Sequence, residues 1–216
     1  MVPLAAGLAR SASGQESEAV TVVTYIEAVP AEAAQVSELL IGYAETGRRA
    51  DGNSQFRVLQ RIGRSNHFAI LEAWRDAAAH ETHSSSAGSQ RFRERLTPLL
   101  YSPPDQRTHT DLVTGTRRDS GPDAVYVLTH VDVFPQGIEQ VVEALRALAR
   151  ASREETGNLG FDVYVTDRRN HMTIVEVWRS AAAHDAHLGA PHNRTFRTNV
   201  APVHGALYDE RLYEAL

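Results

Sequence analysis

Two runs of β-branched and apolar residues, Val20–Pro30 (VTVVTYIEAVP) and Val125–Pro135 (VYVLTHVDVFP), each end at a proline. Such residues pack well on a pleated surface and proline cannot continue a hydrogen-bonded ladder, so each run predicts a strand whose successor begins at the proline. After Pro135, the apolar residues Ile138, Val141, Val142, Leu145 and Leu148 recur at helical spacing up to a stop at Gly157. Phe56–Arg61 and Phe161–Thr166 alternate, and the turn-rich IGRSN and DRRN lead into AILEAW and TIVEVW, which predicts a β-hairpin in each half. Three alanines and a histidine follow each tryptophan, then a segment around Phe92 or Phe196, so one or two helices come next. Arg107–Val113 and Ala206–Tyr213 read as closing strands. The order β-α-β-β-α-β is that of the ferredoxin-like unit.

The two halves are copies. Val20–Pro30 lies over Val125–Pro135 at an offset of 105, and Asn66–His83 lies over Asn170–His187 at 104, with 11 of those 18 positions identical. A period this long marks duplication of a whole module rather than a solenoid repeat. The expected organisation is a tail over residues 1–18, a first module over 19–112, a Gly-, Ser- and Pro-containing linker over 113–123 (VTGTRRDSGPD), and a second module over 124–216. A four-stranded sheet with helices on one side leaves its other face bare. The expected α+β fold therefore packs two tandem ferredoxin-like (βαββαβ) modules sheet to sheet, closing a barrel within one chain. Asn66-His67 and Asn170-His171 are read as hairpin-turn residues, because Asn tolerates left-handed backbone.

The chain has 216 residues, with 22 Lys and Arg against 27 Asp and Glu, a formal charge of −5. It offers no basic field for nucleic acid. Absence of cysteine removes disulfides, thiolate nucleophiles, iron–sulfur clusters and the usual structural zinc sites. No apolar run approaches the roughly 18 residues that span a bilayer. Met1–Gln15 reads as a tail or as the remnant of an export signal without a positive start, which favours the cytoplasm over the periplasm.

Glu176 and Trp178 are two apart on one strand and share a face, as do Glu72 and Trp74. Each tryptophan is either core or the wall of an aromatic pocket. Each glutamate, costly to bury alone, is a structural partner of an arginine such as Arg179, an N-terminal cap for the AAAH helix, or the orienting partner of a histidine. His184 and His187 share a helix face and His192 opens the next segment. Imidazoles suit zinc, copper and iron, but no Asp or Glu stands at ligand spacing to complete a set, so no metal is expected. The preferred role of His187 is general base, since imidazole titrates near neutral pH, with His192 binding the substrate oxygen or sharing the proton. His130, aligned with Tyr25, is expected to reach the same pocket.

The tract Val175–Phe196, VEVWRSAAAHDAHLGAPHNRTF, with its Glu-x-Trp, Ala-x-x-His and His-Leu-x-x-Pro-His elements, resembles the antibiotic biosynthesis monooxygenase family, and most closely its quinol monooxygenase branch. The resemblance covers the chain apart from tail and linker. It implies a dimeric α+β barrel, here an intrachain pseudo-dimer open to further self-association, and a cofactor-independent monooxygenase acting on a quinol or polyphenolic aromatic substrate with O₂. The site residues it points to are His187, His192 and Glu176 as catalytic groups, with Trp178, His184, His130, Phe161, Phe196, Trp74 and His83 as substrate-binding residues. The first copy keeps His80 and His83 but has Ala87 and Gly88 where the second has Pro191 and His192, so the second copy is expected to carry the activity. Ile70 and Ile174 stand where other monooxygenases of the family place an Asn, and an Asn-dependent mechanism is not implied. The rival readings are a non-catalytic binder of aromatic metabolites and a heme-binding or heme-degrading relative; neither first strand carries the Asn the heme-degrading branch requires.

Overall fold

The computed structural model describes residues 18–206 and 208–216. The expected tail or signal remnant falls almost wholly outside them. The first module runs β1 (Val20–Glu27), α1 (Ala33–Gly47), β2 (Asn53–Arg61), β3 (Arg64–Trp74), α2 (Ala77–Ser84), α3 (Ala87–Leu96) and β4 (Asp105–Val113). The second repeats it as β5 (Val125–Asp132), α4 (Ile138–Arg153), β6 (Asn158–Val165), β7 (His171–Trp178), α5 (Ala181–Leu188), α6 (Pro191–Val200) and β8 (Asp209–Ala215). Two helices, rather than one, follow each tryptophan. Among the described residues no helix is long and apolar enough to cross a membrane.

The eight strands close into one barrel in the order β1-β3-β2-β8-β5-β7-β6-β4. Closure depends on the last strand of each module, which pairs with its own first strand and with a strand of the other module. β4 lies antiparallel to β1 (Thr21 opposite His109) and to β6 (Thr110 opposite Val165). β8 does the same between β5 (Tyr126 opposite Tyr213) and β2 (Leu59 opposite Ala215). Edges that would otherwise offer unpaired backbone groups to another chain are thereby used up.

Alternation along the strands divides two kinds of core. Val23, Leu59, Leu71, Tyr126, Leu128, Val175, Val177 and Tyr213 fill the barrel interior, where the two sheets meet. The opposite face of each sheet receives its own helices. In the second module α4 buries Val141, Val142, Leu145 and Leu148 on the predicted stripe, against Phe161, Val163, Met172 and Ile174. In the first, Val36, Leu40 and Ala44 of α1 pack on Phe56, Val58, Phe68 and Ile70.

The linker is tied down rather than loose. Arg117 donates to Asp162 at 2.6 Å, to the Tyr164 hydroxyl, and to Gln55 of the first module, while the Gly115 amide donates to Asp162 at 2.9 Å. Asn170 lies in its hairpin turn as expected, while Asn66 stands within β3, and neither takes left-handed backbone. Positive φ falls on Gly63 and Arg169, and the amides of Asn66 and Asn170 instead donate to the Ala28 and Val133 carbonyls (3.0 and 3.3 Å), whose own N–H groups bond back. The pair clamps the end of the first strand in each module.

Removal of residues 209–216 takes from β2 and β5 their shared partner. The truncated chain is expected to lose cooperative monomeric unfolding in urea and to self-associate on size exclusion. A monomer with an unchanged urea midpoint would contradict closure by β8.

Candidate functional site

The same device stands between sheet and helices in both modules. Each hairpin strand ends in Glu-x-Trp with both side chains facing the helices, and the indole donates to the carboxylate: Trp74 Nε1 to Glu72 Oε2 at 3.0 Å, Trp178 Nε1 to Glu176 Oε2 at 2.7 Å. The chain then caps a helix at once, Asp76 accepting from the Ala79 amide and Ser180 from the Ala183 amide. A helix started at that point carries its second histidine over the indole. Ring centroids of Trp74 and His83 are 5.0 Å apart, and those of Trp178 and His187 are 4.6 Å apart. Neither glutamate takes Arg179 as partner or acts as the helix cap.

Burial sets the protonation of these glutamates. Glu72 is pushed up from the ordinary carboxylate range to about 7, and Glu176 to about 8, the indole bond acting the other way. His83 and His187 are pushed down by burial, in His187 against the pull of Glu155.

Around this common device the modules differ. In the second, Glu155, just beyond the end of α4, accepts from His187 Nδ1 at 2.6 Å and from His192 Nε2 at 2.8 Å on the same oxygen. His187 Nε2 lies 3.7 Å from Glu176 Oε2. His184, 1% exposed, lies 3.6 Å from Glu210, which pairs with Arg197 at 2.9 Å. The Arg197 guanidinium sits 3.8 Å above the ring of Tyr208, whose phenol lies against Thr129 and Glu176. Phe161 and Phe196 belong to the buried cluster beneath. His187, His192, Glu176, Trp178, His184 and Phe161 thus come together, but Tyr208 and Arg197 fill the space beside them.

In the first module that space is open. Pro104 stands where Tyr208 would be, Gln106 in place of Glu210, and Ala50 in place of Glu155. A cavity of about 560 Å³ results, lined by Thr24, Ile70, Glu72, His80, His83, Phe92 and Gln106 among others. Tyr43 stacks face to face on Phe92 at 3.8 Å and also lines it. His83 Nε2 is buried there without a hydrogen-bond partner. A larger, shallower groove of about 1120 Å³ between α1 and α3 shares Tyr43, His83 and Phe92 but does not reach Glu72.

His130 is not part of either site, a correction to its expected placement. Thr129 and Val131 share the helix-facing side of β5, so His130 points into the barrel, edge-on to Tyr25 at 5.1 Å and 3.1 Å from Arg107. Burial and Arg107 hold its imidazole down at about 4. Glu155, Tyr208, Tyr43 and Gln106 do not stand out from sequence; the clue to the last three is a difference in bulk or polarity between aligned positions of the copies.

The family model for antibiotic biosynthesis monooxygenases matches residues 19–95 and again residues 124–199. The chain belongs to that family, as two tandem domains. A Bacillus subtilis (strain 168) protein named "Putative monooxygenase YcnE" is 30% identical over 81 residues, which is 38% of this chain and 85% of that protein. Over nearly the full length the fold matches the structure of a "Putative monooxygenase" from Fusobacterium nucleatum subsp. nucleatum ATCC 25586 (TM-score 0.83, 14% identity, 93% of each chain). It also matches that of an anthrone oxidase-like protein (TM-score 0.73, 18% identity, 93% of this chain and 92% of the other). Family and relative give the chain a monooxygenase-like function.

The pH dependence of stability follows from Glu72. Below about pH 4.5 both folded and unfolded states hold its proton; between about 4.5 and 7 only the folded state does, so stability falls as pH rises. Glu72→Gln is expected to match wild type near pH 4 and to exceed it by up to about 3 kcal/mol above pH 7. Urea midpoints across that range check it, and a pH-independent difference would contradict it.

Proposed function

We propose that the chain is a cofactor-independent monooxygenase that oxidises a quinol or polyphenolic aromatic with O₂, and that the reaction takes place in the first module. The observation that carries the reading is the cavity over Glu72. Its volume lies within the range of about 300–1,000 Å³ usual for small-molecule sites, and it joins aromatic walls to titratable groups that include Glu72, His80 and His83. Histidine content favours the second module, which keeps more of them. Bulk favours the first, because Tyr208 takes the room a ring would need.

Glu72, oriented by the Trp74 indole and with its proton affinity raised to about 7, accepts the phenolic proton near neutral pH. Neutral His83, with an unpartnered ring nitrogen, donates a hydrogen bond to the substrate oxygen as charge develops there. Tyr43, Phe92 and Ile70 hold the ring and keep water from it. The ionised substrate passes one electron to O₂, and the semiquinone and superoxide join through a new C–O bond. The ring hydroperoxide then loses water as the proton on that carbon leaves, giving a hydroxyquinone. A hydroquinone supplies all four electrons, so one oxygen atom stays on the ring and the other departs as water. In the second module His187, Glu176 and Trp178 repeat His83, Glu72 and Trp74, with His192 and Phe196 beside them, but Tyr208 stands where the first module has Pro104.

Oxygen uptake in chelator-treated, air-saturated buffer with menadiol and a catechol tests this. Uptake above the autoxidation rate is expected, reduced roughly 100-fold or more in Glu72→Gln. Uptake lost in His187→Ala but kept in Glu72→Gln would move the reaction to the second module. Saturable binding of the quinols with no uptake above autoxidation would make the chain a sequestering module and overturn catalysis.

A further inference from the structure

The second module holds a cluster that the first does not have. Glu155 Oε1, His187 Nδ1 and His192 Nε2 come from three separate segments and all lie within 4.8 Å of one another. We propose that they form a site for a divalent first-row transition ion, of the two-histidine, one-carboxylate type that suits zinc.

The ligand chemistry fits such an ion. Glu155 supplies the carboxylate that local spacing around the histidines does not reveal. Two imidazoles and one carboxylate are borderline donors of the kind that hold Zn²⁺, and three protein ligands leave a fourth position for water. His192 and Glu155 have side chains 26% and 22% exposed, so an ion has a path in from solvent, while His187 is buried beneath them at 2%. The two histidines now donate to one oxygen at 2.6 and 2.8 Å. Donors around a tetrahedral zinc at about 2.1 Å stand roughly 3.4 Å apart.

The support behind the cluster is that of a metal site. When Nδ1 of an imidazole holds a metal, the other nitrogen usually donates to a carboxylate. His187 Nε2 faces the carboxyl group of Glu176 at 3.7 Å, outside direct hydrogen-bond distance, and that group is itself held by the Trp178 indole. The corner between α5 and α6 is held by the Asn193 amide donating to the His187 carbonyl at 3.3 Å. Pro191, at the first position of α6, sets the backbone that aims His192.

The first module provides an internal comparison. It keeps His83 over Trp74 and Glu72, yet Ala50 and Gly88 stand at the positions of Glu155 and His192. The cluster is therefore not a by-product of the family's Glu-Trp-His device. Because it lies apart from the cavity over Glu72, removing the ion leaves quinol-dependent oxygen uptake in place, and the two proposals fail separately.

Calorimetric titration of the chelator-treated full chain with ZnCl₂ tests the site. One equivalent per chain is expected, weakened at least 10-fold in Glu155→Gln and in His192→Ala, two replacements at half-exposed positions whose folding is checked by circular dichroism. Co²⁺ should give the intense visible absorption of a four-coordinate site in wild type and lose it in His192→Ala. Absence of zinc binding by wild type, or the same stoichiometry and affinity in both variants, would overturn the proposal. So would a Co²⁺ spectrum that His192→Ala leaves unchanged.

Discussion

The exchange of terminal strands between the two halves is the constraint on which the rest depends. A four-stranded βαββαβ sheet has two edges and one bare face, and here β4 and β8 cover both deficits together by pairing across the module boundary. Once the barrel is closed, its interior is committed to packing Tyr126, Leu128, Val175 and their neighbours. The two outer faces are left for the helices. Two equivalent sites follow from the topology before any functional residue is considered.

Duplication then lets the sites diverge without cost to the fold. Both keep the indole-to-carboxylate bond and the histidine tilted over the indole, which are part of the packing between sheet and helix. Outside that device, a few replacements decide what each site does. In the proposed reading, Pro104 against Tyr208 decides whether there is room for a ring, and Ala50 and Gly88 against Glu155 and His192 decide whether there are ligands for an ion. With both proposals in place, one chain carries a substrate cavity in its first half and a metal site in its second, on a shared scaffold.

Much of this is legible in the sequence, and what is not has a physical reason. The repeat, the element order and the shared face of Glu176 with Trp178 follow from periodicity alone. The direction of His130 does not, because β5 is buried on both faces; apolar residues fall on odd and even positions alike, and the pattern does not say which way a residue points. Glu155 is hidden because it belongs with histidines more than 30 residues downstream, brought together only by packing of α4 beside α5 and α6. The blocking role of Tyr208 is a matter of volume, which a count of histidines ignores; its alignment with Pro104 is the available signal.

The chain has two tryptophans, one in each module, and both indole N–H groups are tied to the glutamate of their own site. The most direct test of the division of labour is the ¹⁵N–¹H spectrum of those two indoles during titration with an oxidation-resistant quinol ether. The Trp74 resonance is expected to shift with saturation while that of Trp178 stays in place. A shift confined to Trp178 would contradict a substrate cavity in the first module.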